Sequence, residues 1–210
     1  MPPGRAVYRP GLLTDMYHPD SAYVSWRAGL NGLTPFELFA RRAPFGGSYL
    51  LVAVLEAALD FVRAFRYSDD DLEYLDQIRD YEPEFLAELR GLRFTGEIVA
   101  MPEGSIAFPN EPLLRVTAPF REAILLESGL LQAINLATLI ATKASRITYA
   151  ARGRPVSEFA LRRAQEPYVV SRSARIGTFG TLGSAARCRL VAPSTVLVCS
   201  PICTTRTRRT

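Results

Sequence analysis

Histidine and cysteine are scarce in this chain of 210 residues, and their positions exclude several kinds of site. The only histidine is His18, which precedes a proline, and a lone histidine in such a place is typical of a solvated loop rather than of a catalytic group. The cysteines, Cys188, Cys199 and Cys203, all lie near the C-terminus. Their odd number and irregular spacing make a poor disulfide framework, and no histidine or further cysteine completes a zinc site. We therefore predict no metal site.

Long hydrophobic runs are also lacking. No stretch of about 18 consecutive apolar residues occurs, which argues against a membrane span, and the first 17 residues contain no apolar segment of signal-peptide length. Hydrophobic residues nevertheless make up 48% of the chain, enough for a sizeable core. The sequence therefore predicts a soluble, cytoplasmic protein with no membrane partner.

Acidic residues disappear towards the C-terminus. Residues 1–150 carry 14 basic and 19 acidic side chains, a net charge of −5, whereas residues 151–210 carry 11 arginines and two glutamates, a net charge of +9. No acidic residue follows Glu166. A basic tail can bind nucleic acid, but such arms usually mix lysine with arginine, and this one contains no lysine. A nucleic-acid partner is therefore not expected.

The first half of the chain predicts helices around one strand. Thr14 and Asp15 have the character of caps for a first helix, and residues 34–44 read as a strand with Phe36, Leu38 and Ala40 on one face. After a glycine turn, an apolar stretch predicts a helix of about five turns. Its expected buried stripe is Leu51, Leu55, Ala58, Leu59 and Val62.

Further along, Ser68 is expected to cap a helix and Pro83 to divide that region into two short helices. Residues 93–120 alternate between turns and short apolar segments, which predicts three or four antiparallel strands. Residues 121–153 then form a long apolar helix, or two, ending at Gly153. Residues 154–161 return to strand, so the chain reads as α/β with more than one layer.

Five segments, in this order and spacing, resemble the nicotinate phosphoribosyltransferase family. The resemblance covers roughly residues 11–165. It implies an α/β fold like that of type II phosphoribosyltransferases, with an N-terminal α+β domain packed on an irregular α/β barrel that is incomplete here. The segments are "LLTDMY", "FELFARRAPFGGSYLLVAVLE", "FTGEIVAMPEGSIAFPNEPLLRV", "LLESGLLQAINLATLIATKASRI" and "FALRRAQ".

The resemblance also implies an activity, partners and site residues. The family joins nicotinate to 5-phosphoribosyl 1-pyrophosphate in NAD salvage, usually with ATP and Mg²⁺, and forms homodimers that share the active site. By resemblance, Phe159 stacks on the substrate ring, Arg162 faces the substrate, and Tyr17 covers the other ring face from the partner subunit. Arg41 or Arg42 meets ligand phosphates. Read from the residues alone, a strand phenylalanine such as Phe159 is more often a core residue than a ligand contact, and Tyr17 could be a packing residue at the start of a helix.

The resemblance stops after Gln165. Family members continue with a glycine-rich segment and then G-T-x-A-H-S, whose histidine is phosphorylated from ATP. Here "IGTFGTLGSA" is a faint echo of the first, and no histidine follows His18. A shifted reading frame in a GC-rich gene would explain this arginine-, serine- and threonine-rich tail, and a divergent tail is the alternative.

From these observations we expect three regions: an N-terminal α+β domain over 1–120, junction helices and a first barrel strand over 121–165, and an atypical tail over 166–210. The expected function is nicotinate phosphoribosyltransferase, with this chain truncated and inactive, so that it forms no measurable nicotinate mononucleotide. The alternatives are an enzyme like nicotinamide phosphoribosyltransferase, a non-catalytic fragment, or a nucleic-acid binder that uses the basic tail.

Overall fold

A computed structural model of the protein describes residues 10–53, 55–152, 154, 156 and 197–199. Two single 3-10 turns, Pro10–Leu12 and Pro44–Gly46, accompany the regular elements. In chain order, these are α1 (Tyr17–Arg27), β1 (Leu33–Phe39), β2 (Leu50–Leu51), α2 (Leu55–Ala64), α3 (Asp69–Ile78), α4 (Pro83–Gly91), β3 (Glu97–Ala100), β4 (Ile106–Ala107), β5 (Pro112–Pro119), α5 (Phe120–Ala151) and β6 (Leu197–Cys199).

The strands form two antiparallel sheets. The larger has the order β1-β5-β3-β6, and the smaller pairs β2 with β4. Along β1, burial alternates residue by residue, as expected for a strand with one face on the core. The strand predicted over residues 34–44 is confirmed only as far as Phe39, since Ala40 and the residues after it lie outside β1. The predicted antiparallel strands between 93 and 120 are confirmed as β3, β4 and β5.

Helix α5 organises the core of the described residues. It runs for 32 residues without interruption and packs against α1, α2, β1, β2 and β5. Its length and composition alone would let it cross a membrane, but half of its most apolar window is buried inside the fold. That burial is typical of the core helix of a soluble protein. The helix ends at Arg152 in a left-handed conformation, with φ of 51°.

The predicted five-turn helix around residues 50–64 is wrong at its start. Helix α2 has ten residues and begins at Leu55, whereas Leu51 lies in β2. Leu51 is held there because it pairs with Ile106 and its amide donates a 2.9 Å hydrogen bond to Thr142 Oγ1 of α5. Tertiary contacts thus override the local helical pattern. The rest of the predicted stripe is buried as expected: Leu55, Ala58, Leu59 and Val62.

Helix caps were predicted with mixed success. Ser68 caps α3 in a reciprocal capping box with Asp71, and Pro83 opens α4, as predicted. In α1, however, Met16 occupies the N-cap without a side-chain hydrogen bond. The hydroxyl of Thr14, expected to cap α1, lies instead 2.9 Å from the ring nitrogen Nδ1 of His18.

The predicted strand at 154–161 and the barrel lie outside the described residues, apart from residues 154 and 156, which are in neither helix nor strand. The division into 1–120, 121–165 and 166–210 stays a prediction. In the described part of the chain, the change from sheet to long helix falls at Phe120, where β5 passes directly into α5.

Candidate functional site

Tyr17, the first residue of α1, is fixed at both ends of its side chain. Its hydroxyl donates a 3.1 Å hydrogen bond to Oε1 of Glu127 on α5. Its ring lies 3.9 Å from the ring of His18, centroid to centroid, at an angle of 54°. Even so, 52% of the residue is exposed to solvent. The start of α1 therefore presents an aromatic face whose orientation is set by contacts behind it.

His18 is fully buried, so the expectation of a solvated loop residue is wrong. It lies in the first turn of α1 and faces α5, where its ring nitrogens approach Ser128 and Glu127. Its Nδ1 is near the hydroxyls of Thr14, at 2.9 Å, and Ser128, at 3.5 Å. Its Nε2 lies 3.4 Å from Oε2 of Glu127. The ring thus sits inside a polar cluster between two helices.

Two carboxylates complete this cluster. Glu127 contacts Tyr17 and His18, while Asp15 accepts a 2.6 Å hydrogen bond from the Ser128 hydroxyl. Partial desolvation raises the pKa of Tyr17, and the hydrogen bond and negative charge of Glu127 and the charge of Asp15 raise it further. The phenol is therefore a neutral hydrogen-bond donor at physiological pH.

A groove between β1 and α5 extends from this cluster. It contains two neighbouring cavities of about 170 and 320 Å³, which share Leu38 and Leu131 in their walls. Glu127 lines the smaller cavity and Arg42 the larger. Most of the remaining wall is apolar, as in small-molecule sites generally. One end of the groove is therefore acidic and next to Tyr17, and the other carries a cation.

The cationic end is formed by the loop after β1. Arg41 and Arg42 are exposed in a bend there, and Arg42, rather than Arg41, lines the larger cavity. Arg146 of α5 holds the loop by donating a 2.9 Å hydrogen bond to the carbonyl of Phe45, whose φ is 59°. The Lys143 ammonium lies 5.7 Å from the centre of the Phe45 ring. Two arginines of the loop and two basic residues of α5 thus lie in one region, and α5 holds the loop in place.

The predicted site residues are only partly brought together. Tyr17 does not line the cavities but contacts Glu127, which lines the smaller one. Arg41 does not line them either but is the neighbour of Arg42, which lines the larger one. Phe159 and Arg162 lie outside the described residues. Sequence reasoning missed Glu127 and Ser128, which contact the Tyr17–His18 pair. A signal was present, since these two polar residues interrupt an otherwise apolar stretch of α5.

Potential metal ligands do not cluster in the part of the chain that the structure describes. No group of three histidine, cysteine, aspartate or glutamate side chains converges in that part of the chain. ATP with Mg²⁺ therefore stays a prediction from the resemblance alone, and no chemical step is assigned to it.

Comparison with solved structures defines the class of protein. The fold is similar to that in the crystal structure of nicotinate-nucleotide pyrophosphorylase from Pyrococcus furiosus, with a TM-score of 0.60, 22% identity, and coverage of 80% of this chain and 36% of that one. It is also similar to the crystal structure of human nicotinic acid phosphoribosyltransferase, with a TM-score of 0.71, 40% identity, and coverage of 79% and 34%. The predicted α/β fold of type II phosphoribosyltransferases is thus confirmed.

The sequence comparisons narrow this class to one family. The profile of the nicotinate phosphoribosyltransferase (NAPRTase) N-terminal domain matches residues 12–135. Nicotinate phosphoribosyltransferase pncB2 of Mycobacterium tuberculosis is 41% identical over 181 residues, covering 86% of this chain and 39% of that protein. The human nicotinate phosphoribosyltransferase is 44% identical over 171 residues, covering 79% and 32%. The chain belongs to the nicotinate phosphoribosyltransferase family, and it spans about two fifths of the length of the mycobacterial relative.

Proposed function

We propose that this chain carries one wall of the substrate site of a nicotinate phosphoribosyltransferase. In that reaction the pyridine nitrogen of nicotinate forms a bond to C1 of the ribose. The bond from C1 to the pyrophosphate oxygen breaks, and pyrophosphate leaves with the electron pair. The products are nicotinate mononucleotide and pyrophosphate. The enzyme supplies orientation and charge around these groups rather than redox chemistry.

The exposed and anchored face of Tyr17 carries this proposal. A flat pyridine ring gains most from an aromatic partner that is already oriented, because no side-chain freedom is then lost on binding. The Glu127 and His18 contacts provide that orientation. By resemblance, Phe159 would contact the opposite face of the ring, and Arg162 would face the nicotinate carboxylate.

Arginine at the other end of the groove suits the phosphate groups. A guanidinium can bind a phosphate through two parallel hydrogen bonds. Both Arg41 and Arg42 are exposed, and the loop that carries them is tied to α5 through Arg146. We assign 5-phosphoribosyl 1-pyrophosphate to this end of the groove, with Arg41 and Arg42 as its phosphate ligands.

Three further parts of the proposal rest on the resemblance: the homodimer, the cytoplasmic location, and the use of ATP. Buried His18 does not stand in for the phosphorylated histidine of the family, because a side chain with no exposed surface cannot reach a nucleotide. ATP use by this chain would therefore require a different acceptor group.

Ligand binding tests the proposal directly. Titration calorimetry would compare nicotinate with nicotinamide on the purified 210-residue chain, its Tyr17→Ala variant and a Tyr74→Ala control. Tyr74 is a matched control because it is also a helical tyrosine, 49% exposed, on α3. Loss of one aromatic stacking partner, worth about 1 kcal/mol, should weaken nicotinate binding about fivefold to tenfold in Tyr17→Ala. Equal affinities in all three proteins, or no binding to the parent chain, would contradict the proposed site.

A further inference from the structure

We propose that Glu127 is a positioning residue for the substrate ring, acting through Tyr17. The inference rests on the proposed function, since it assigns the means by which the ring-binding tyrosine is oriented. Glu127 lies in the second turn of α5, whereas Tyr17 is the first residue of α1. The two residues are 110 positions apart in the sequence. Their contact is therefore created by the fold rather than by neighbouring positions on one helix.

The two oxygens of the Glu127 carboxylate have different partners. Oε1 accepts the hydrogen bond from the Tyr17 hydroxyl at 3.1 Å, and Oε2 lies 3.4 Å from His18 Nε2. One rigid group thus fixes the far end of the phenol and also the imidazole on which the phenol ring rests. A half-exposed tyrosine would otherwise move among rotamers. Held at two points, it keeps one ring plane.

The buried histidine makes this arrangement sensitive to Glu127. Among the described residues, Nε2 of His18 makes no hydrogen bond, and Oε2 of Glu127 lies 3.4 Å from it. Removing the carboxylate would take this polar oxygen away from a buried nitrogen that has no hydrogen bond of its own. The imidazole would then shift, and the Tyr17 ring in contact with it would shift as well.

Other contacts hold α1 against α5 without Glu127. The Ser128 hydroxyl bonds to Asp15 at 2.6 Å, and buried Ala22 of α1 belongs to the same apolar core as Leu126 of α5. These contacts hold the two helices together, so Glu127 is not needed for that purpose. What these contacts do not fix is the phenol hydroxyl, which is bonded to Glu127 alone among its described hydrogen bonds.

A fluorine label at position 17 separates positioning from stability. The 210-residue chain would carry 3-fluorotyrosine at position 17, and fluorine NMR would record its chemical shift and the pH midpoint of phenol ionisation. The charged groups facing this phenol are Glu127 and, farther away, Asp15. Glu127→Ala is expected to change the chemical shift and lower the midpoint. Glu127→Gln is expected to lower the midpoint, because the charge is lost, and to keep the chemical shift near that of the parent, because an amide oxygen still accepts the bond.

Glu37→Ala is the matched control. Glu37 lines the same cavity as Glu127 but pairs with Arg115 across the sheet. It should leave both fluorine readouts unchanged. The proposal is overturned if the midpoint stays at the parent value in Glu127→Gln, and this arm decides the question even where Glu127→Ala does not fold.

Nicotinate binding completes the test. Calorimetry should show an affinity about fivefold lower in Glu127→Ala and largely restored in Glu127→Gln. If the parent chain does not bind nicotinate, the proposed function fails, while the fluorine readouts still test the positioning of Tyr17. If nicotinate binds but its affinity is the same in the parent and Glu127→Ala, the positioning role is refuted and the proposed function stands.

Discussion

Asp20 shows how one side chain can join two parts of the fold. From α1 it accepts hydrogen bonds from Tyr81, at 2.6 Å, and from Arg79 Nε, at 3.0 Å, in the segment between α3 and α4. Burial by itself raises the pKa of Asp20, but the hydrogen bonds from Tyr81 and Arg79 and the charge of Arg79 outweigh it. The pKa in the folded protein is therefore lower than the ordinary value of 3.8.

The sign of this shift fixes a pH dependence. A lowered pKa means that Asp20 stabilises the fold above pH 3.8, and that this contribution is lost as the pH falls through the lower folded value. We predict that Asp20→Asn lowers the free energy of unfolding by about 1 kcal/mol at pH 7. The difference from the parent should shrink steadily below pH 3.8, as measured by urea unfolding at a series of pH values.

Asp60→Asn serves as the control for Asp20. Asp60 also pairs with an arginine, Arg63, but on the exposed face of α2. Exposed pairs contribute little, so this variant should stay within about 0.5 kcal/mol of the parent at every pH of the series. A constant difference between Asp20→Asn and the parent from pH 7 to below the folded pKa would show that the carboxylate is not the source of the stabilisation.

Of the residues in the polar cluster between α1 and α5, only Tyr17 was predicted from the sequence as a site residue. Tyr17 could be singled out because a family motif surrounds it, and the structure places it half exposed at the start of α1. His18, the next residue, was misjudged because its burial depends on α5, more than 100 positions away. Glu127 was missed for the same reason. A contact between distant segments has no local signature, whereas a cap such as Ser68 has one.

Among the elements, α5 depends on a close approach to α2. A Cβ placed on Gly129 would lie 2.1 Å from Cζ of the buried Phe61 ring and within 2.6 Å of two more ring atoms. A glycine in the middle of a helix ordinarily costs about 1 kcal/mol relative to alanine. Here the absence of a side chain allows α2 and α5 to pack closely, and this packing offsets the unfavourable helix propensity of glycine.

Gly129→Ala should therefore destabilise the protein. Overpacking a buried contact costs about 1–3 kcal/mol, which exceeds the gain in helix propensity. Thermal unfolding should show a lower midpoint than in the parent. The matched control is Gly91→Ala at the end of α4, where nothing lies within 4 Å of an added Cβ and stability should be equal or slightly higher. A Gly129→Ala protein as stable as the parent would contradict the packing of these two helices.

Element types followed local patterns except where tertiary contacts decided them. The apolar run of α5 and the alternation in β1 have unambiguous periods, and both were predicted. Residues 50–51 belong to an apolar run that suits either a helix or a strand. These residues form a strand because they pair with β4 and because the Leu51 amide donates a hydrogen bond to Thr142. Short apolar runs of this kind cannot be assigned from periodicity alone.

The net charge of the molecule is divided unevenly along the chain. The net charge of −5 falls on residues 1–150, which include nearly all of the described fold, and that of +9 on residues 151–210. The family profile matches only within the first of these regions. The predicted site spans both, since Tyr17 and Arg41 lie in the first region and Phe159 and Arg162 in the second. Changes in residues 151–210 should therefore weaken ligand binding more than they weaken the stability of the fold.

Deletion of residues 157–210 tests this separation. All the buried apolar residues among those described lie between Pro10 and Ala144, so the shortened chain should still unfold cooperatively. It loses the three pairs that β6 makes with Ile98, Val99 and Ala100, which should lower the free energy of unfolding by about 1–3 kcal/mol. Deletion of 200–210 alone, which leaves β6 in place, is the control. Circular dichroism and urea unfolding would measure both.

Ligand binding by the shortened chain tests whether residues 157–210 contribute to the ring site. A fluorine label on Tyr17 should keep its parent chemical shift, because Glu127 and His18 are retained. Nicotinate affinity should fall at least tenfold, since Phe159 and Arg162 are gone, and the loss of one stacking face and one charge-assisted hydrogen bond exceeds about 1.4 kcal/mol. Unchanged affinity would place the ring site entirely within residues 1–156. Loss of the cooperative transition would show instead that the fold of the first region depends on the second.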